Sequence, residues 1–172
     1  TPSGSTNEDS MYWNITSGGG VAINCINAKY GCAVKFDGVN DSLITADSRS
    51  SLNIVSMITM SAWVNLGKMS AGRDFSEMAI LSKSRIGSLG PYNLEYVESP
   101  FHGFRLELMG LSDIQTFWEM TPNLNQWYHV VGTYNGSQIC IYVNGVGGHC
   151  DASTGSINSD STSPLRIGNH YT

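Results

Sequence analysis

Residues 127–145 read Trp127-Tyr128-His129-Val130-Val131-Gly132-Thr133-Tyr134-Asn135-Gly136-Ser137-Gln138-Ile139-Cys140-Ile141-Tyr142-Val143-Asn144-Gly145. Ile139, Ile141 and Val143 alternate with Cys140 and Tyr142. That is the period of two that sends successive side chains to opposite faces of a strand. The run 128–134 before them is another strand candidate, rich in aromatic and β-branched residues. Asn135-Gly136 and Asn144-Gly145 end the two runs with residues that accept the positive φ of tight hairpin turns. The stretch therefore predicts an antiparallel meander.

The same period recurs outward from it. Ile58, Met60, Ala62 and Val64 alternate with Thr59, Ser61, Trp63 and Asn65. Phe104, Leu106 and Leu108 alternate with Arg105, Glu107 and Met109. Shorter candidates are 33–36, 42–45, 78–83, 114–119 and 164–167, and Asp37-Gly38 supplies a further turn. No amphipathic helix is legible, and at most 48–54 makes a helical turn. About 10–13 short strands joined by glycine-rich turns predict an all-β, two-sheet antiparallel β-sandwich. Residues 1–10 are polar and unpatterned and read as a flexible lead-in or arm; 11–172 read as a single domain without internal repeats.

The chain has 172 residues, 13% of them charged and 41% apolar, enough for one domain with a sizeable core. Nine basic against fourteen acidic side chains leave a net charge of −5, which argues against nucleic acid as a partner. No apolar run reaches the roughly 18 residues of a membrane span. Cys25 with Cys32 and Cys140 with Cys150 form two local pairs, without Cys-x-x-Cys or zinc-like histidine spacing. They read as two disulfides stapling short loops, in preference to free buried thiols. A two-residue turn would set Cys140 opposite His149, so pairing with Cys150 needs one extra residue, which the run Gly145-Val146-Gly147-Gly148 can supply as a bulge. Disulfides point to an oxidising compartment. Sequons at Asn14, Asn40 and Asn135 agree with a secreted or cell-surface glycoprotein.

Gly31-Cys32-Ala33-Val34-Lys35-Phe36-Asp37-Gly38-Val39-Asn40-Asp41 resembles the G-x-A-L-x-F-D-G-x-D-D opening of laminin-G-like jelly rolls, within the concanavalin A-like lectin/glucanase superfamily. Further blocks follow in the family's order: 58–64, 80–83, 103–108, 127–136, 141–145 and 165–169. Trp127-Tyr128-His129-Val130-Val131-Gly132-Thr133-Tyr134 is similar to its W-x-H-V-A-x-T-Y strand. The resemblance implies a fold that hosts lectins, adhesion modules and hydrolases alike. It also implies a final strand that this sequence lacks, so the reading expects one sheet to be a strand short. Filling that gap needs further chain or a strand added by a second subunit. A calcium site at Asp37, Asn40 and Asp41 is a further implication.

Against the family's usual short hairpin, 84–101 reads as an inserted loop. It offers Tyr92, Asn93 and Tyr96 as exposed residues for a sugar or a protein partner, with Phe101 and His102 beside them. Trp118 reads either as core or as a ligand platform. Trp63, Trp127 and His129 read as packing residues. The Glu-x-Asp-x-Glu strand of the superfamily's glucanases is absent, with Glu95 and Glu98 in a loop and Glu107 and Glu119 alone in strands. No Gly-x-Ser-x-Gly elbow, His-Glu-x-x-His motif or Walker loop occurs. The sequence thus predicts a non-catalytic extracellular recognition or adhesion module for glycans or glycoproteins. The alternative is a structural subunit of an extracellular filament or surface layer, assembled from copies of itself by strand addition, and a secreted glycoside hydrolase comes third.

Overall fold

A computed structural model of the chain describes residues 13–16, 22–24, 29–38, 41–45, 50–69, 77–84, 90–99 and 101–168. The proposed arm at 1–10, together with Cys25 and Asn40, lies outside the described residues. The described strands are β1 (Trp13–Thr16), β2 (Ala22–Asn24), β3 (Ala33–Lys35), β4 (Ser42–Thr45), β5 (Ile58–Asn65), β6 (Glu77–Lys83) and β7 (Tyr92–Val97). They continue with β8 (Gly103–Leu108), β9 (Gln115–Glu119), β10 (Trp127–Tyr134), β11 (Gln138–Val143), β12 (Val146–Ala152) and β13 (Leu165–Ile167). One short 3₁₀ turn, Ser50–Leu52, stands where the sequence allowed a helical turn.

These strands build a sandwich. The larger sheet runs β1-β4-β13-β6-β7-β8-β9, the smaller runs β12-β11-β10-β5, and β2 and β3 pair as a separate ribbon. The pairings are antiparallel throughout. Among the described strands, β5 and β12 are the two edges of the smaller sheet.

Alternation decides what faces inward. Tyr92, Leu94 and Tyr96 of β7 pair with Leu108, Leu106 and Phe104 of β8. All six belong to the buried core, where they meet Tyr128, Val130 and Tyr134 of β10 and Ile139, Ile141 and Val143 of β11. Each such side chain removed from water contributes on the order of 1.5–3 kcal/mol. The tyrosine hydroxyls reach the rim: Tyr92 donates to the Leu52 carbonyl at 2.9 Å and Tyr134 to that of Gly155 at 2.9 Å. Gly132 sits in β10 because the Leu106 side chain fills the space beneath it; a Cβ there would lie 2.8 Å from Leu106 Cδ1.

The hairpin at 144–145 bears out the turn chemistry, with φ of 56° at Asn144 and 71° at Gly145. Cys140 lies opposite Cys150, and the two are disulfide-bonded. The register shifts between Ile141 and Val143, so the expected bulge is present on β12. Cys32 is also disulfide-bonded.

The segment read as an exposed loop is corrected. Tyr92, Asn93 and Tyr96 belong to β7, inside the larger sheet, and all three are buried. Two glutamates read as separate are also brought together. Register puts Glu95 of β7 beside Arg105 of β8, and Glu107 beside Asn93, all on the sheet's outer face.

Candidate functional site

The outer face of the larger sheet carries a polar network. Ser82 Oγ donates to Asn93 Oδ1 at 2.6 Å, and Asn93 Nδ2 donates to Glu107 Oε2 at 2.8 Å. Arg105 donates to Glu95 through Nε and to Glu77 Oε1 through Nη2 at 2.5 Å, and its Nη2 lies 3.9 Å from Glu107 Oε1. Burial pushes the Glu107 carboxyl above the usual carboxylate range, against the pull of Arg105 and of the Asn93 amide. Glu95 is 0% and Glu107 3% exposed, so the network is sealed from an external ligand. Its rim is open at Phe101, which is exposed and stacks on Phe117 with centroids 4.6 Å apart. His102 is exposed beside it, while Trp118 points the other way and packs half-buried against the core.

The outer face of the smaller sheet offers an accessible alternative. Period two forces this placement: Ile58, Met60, Ala62 and Val64 of β5 take the inner face, so Ser61 and Trp63 take the outer one. In β10, Tyr128 and Val130 are buried, which turns Trp127 and His129 outward. Trp63 and His129 are register partners across β5 and β10. Their rings stack with centroids 5.0 Å apart at 29°. The reading of these three residues as packing positions is therefore corrected for Trp63, which is 40% exposed.

Several contacts hold the two rings in place. The Ser61 hydroxyl lies 2.8 Å from His129 Nε2. Asn144 Oδ1, in the β11–β12 turn, accepts from the His129 backbone N–H at 2.9 Å. On the far side, Tyr30 meets Trp63 edge-on at 5.8 Å, and Lys29 Nζ lies 5.1 Å from the Trp63 ring centre. Lys29, Trp63, Trp127, His129, Asn144 and Gly145 line a recess of about 410 Å³. Chemically it combines aromatic surface, an amide and an ammonium.

Of the Asp37–Asp41 segment the ends are described, and the buried Asp41 Oδ1 has no hydrogen-bond partner there. Asp41 Oδ2 accepts from the Asp37 N–H at 3.0 Å, and the Lys68 ammonium occupies the Asp37 carbonyl at 2.8 Å. Among the described residues no three His, Cys, Asp or Glu side chains converge as metal ligands, and a calcium ion at this carbonyl would have to displace Lys68. Asn135 is an exposed turn residue whose Oδ1 accepts from the Ser137 and Gln138 N–H groups, and of Asn14 only the backbone, in β1, is described.

A sandwich of two antiparallel sheets is the architecture that the sequence resemblance implied. The family model Laminin_G_3, of the concanavalin A-like lectin/glucanases superfamily, matches residues 37–172, and the chain belongs to that family. Among curated proteins nothing matches it. A similar solved structure is domain 4 of AbnA, a GH43 extracellular arabinanase from Geobacillus stearothermophilus, in complex with arabinotriose. The likeness has a TM-score of 0.63 at 15% identity and covers 93% of this chain and 74% of that one. At that identity it speaks for the fold.

Proposed function

We propose that the chain is a non-catalytic carbohydrate-recognition module of an extracellular protein, and that Trp63, Trp127, His129 and Asn144 form its binding site. One observation carries this reading: an exposed indole on a sheet, with a second tryptophan and an amide at the same recess. Aromatic surface suits the C–H faces of a sugar, and an amide reads hydroxyls. The arabinotriose of the structural neighbour belongs to that protein and serves as the first ligand class to try. The disulfides fit an oxidising, extracellular setting.

Titration of tryptophan fluorescence with arabino- and other oligosaccharides tests the site. Trp63→Ala and Trp127→Ala should each weaken binding roughly tenfold or more, and circular dichroism should show that Trp63→Ala keeps the fold. Unchanged affinity in both variants would refute the assignment.

A hydrolase reading has one observation in its favour, the pair Glu95 and Glu107 on one face of adjacent strands. Their burial and the Arg105 ion pair weigh against it, since a general acid and its partner carboxylate must both reach the scissile bond. Sugar release abolished by Glu107→Gln would reverse the preference. Assembly by strand addition draws support from the outer edge of β5; a sedimentation coefficient that rises with protein concentration would favour it.

A further inference from the structure

We propose that β12 carries half of a transition-metal site, His149 with Asp151, and that a second copy of the chain supplies the other half around one shared zinc ion. The inference is independent of the carbohydrate reading and uses a different part of the fold.

The first argument is the geometry of the pair. His149 and Asp151 stand two apart on β12 and therefore share one face of the strand. Their register partners are Ile141 and Ile139, both core residues, so the two side chains project from the inward face at the rim of the sandwich. There they reach solvent, at 58% and 32% exposure. His149 Nε2 lies 3.3 Å from Asp151 Oδ1. That is longer than the roughly 2.7–2.9 Å of a charge-assisted hydrogen bond. It is the separation that two ligands take on one tetrahedral zinc: a nitrogen and an oxygen, each about 2.0–2.2 Å from the metal, stand about 3.3–3.5 Å apart. The backbone that carries them is also pre-set. Cys150, between the two, is disulfide-bonded to Cys140, and 138–141 pair with 149–152 in unbroken register.

The second argument is coordination number. A structural zinc ion takes four ligands, and the pair supplies two. Among the described strands β12 is an edge of the smaller sheet, and an edge presents backbone groups to which another strand can bond. The bulge interrupts the ladder at 147–148 and leaves 149–152 as its regular part. Antiparallel pairing of two such edges about a two-fold axis at Cys150 sets His149 opposite Asp151 of the second copy, and Asp151 opposite its His149. Side chains opposite one another in such a pair have Cβ atoms about 4.5–5.5 Å apart, so two imidazoles and two carboxylates meet on one face. The contact is isologous, as a closed dimer requires.

Charge makes this pairing conditional on the metal. Each chain carries a net charge of −5, and the pairing brings two carboxylates together, which guards the edge when no cation is present. One divalent ion neutralises both. Imidazole with carboxylate suits zinc, whereas magnesium and calcium take oxygen ligands.

The test uses the full, disulfide-intact chain freed of metal by a chelator, with zinc chloride and magnesium chloride as probes, followed by calorimetric titration and sedimentation velocity. The expected result is that zinc binds at about one ion per two chains and shifts the sedimentation coefficient from monomer to dimer, a shift that EDTA reverses. Magnesium should do neither. His149→Ala and Asp151→Asn should each weaken zinc binding at least about tenfold and abolish the shift, with circular dichroism unchanged. Zinc binding by both variants at wild-type affinity, or no zinc binding by the wild type, overturns the site. One zinc bound per chain without a dimer overturns the sharing.

Discussion

Replacing Arg105 by Met should be among the most damaging single changes in this protein. The Arg105 side chain is 9% exposed and holds Glu77, Glu95 and Glu107 on the outer face of the larger sheet. Two of those carboxylates are themselves buried. Unit charges about 4 Å apart in surroundings of effective dielectric about 20 interact by about 4 kcal/mol. Removing the cation while leaving buried carboxylates behind therefore costs roughly 3–5 kcal/mol. The size should depend on pH, with a definite sign. Glu107 is already above its usual range, chiefly through burial, and Arg105 is the largest influence pulling it down. Without the guanidinium its folded pKa rises further. A carboxyl raised in the folded state lends stability below its unfolded pKa and loses it as pH rises through the folded value. The Arg105→Met deficit should accordingly be full near pH 7 and shrink toward about pH 4, where the carboxylates take up protons in both states. Urea denaturation followed by tryptophan fluorescence at the two pH values measures this. A loss below about 1 kcal/mol at neutral pH, or a deficit independent of pH, would refute the reasoning.

Three further outcomes follow from the same structure. Glu107→Gln keeps an acceptor for Asn93 Nδ2 and removes the raised carboxyl, so thermal melts should show equal or higher stability at neutral pH and a flatter acid dependence. Gly132→Ala drives a Cβ to 2.8 Å from Leu106 and should lose about 1–3 kcal/mol in chemical denaturation, an effect relieved by Leu106→Ala in the same chain. Burial works against the Asp160 charge, but hydrogen bonds from Ser163 and Thr162 outweigh it and hold the carboxyl well below its usual range; its contribution is present above the unfolded pKa and lost as pH falls, so Asp160→Ala should cost about 1 kcal/mol at neutral pH and little in strong acid.

Much of this architecture was legible because strands of half-buried sheets print their phase in the sequence. The meander at 127–152 is the clearest case: the Asn144-Gly145 turn and the one-residue mismatch between the cysteines foretold both the hairpin and its bulge. The strand β7 was legible too, since Tyr92-Asn93-Leu94-Glu95-Tyr96 alternates strictly. The family's block spacing made it look like an inserted loop, and two buried faces, one of them polar, made its asparagine and glutamate look like surface residues. Trp63 shows the reverse. Its phase against Ile58, Met60 and Val64 already pointed outward, and only the general habit of tryptophan to pack inside argued otherwise. What alternation could not supply is the juxtaposition of Trp63 with His129, or of Glu95 with Glu107. Those depend on which strands pair and in what register, a long-range property that no local spacing encodes.

The most direct test of the central claim is a chemical-shift map of the isotopically labelled chain titrated with arabino-oligosaccharides. The account predicts saturable shifts at the indole N–H signals of Trp63 and Trp127, the His129 ring and the Asn144 side-chain amide, all lost in Trp63→Ala. Shifts confined to Phe101, Phe117 and Glu119 on the opposite sheet, with those four residues silent, would contradict it.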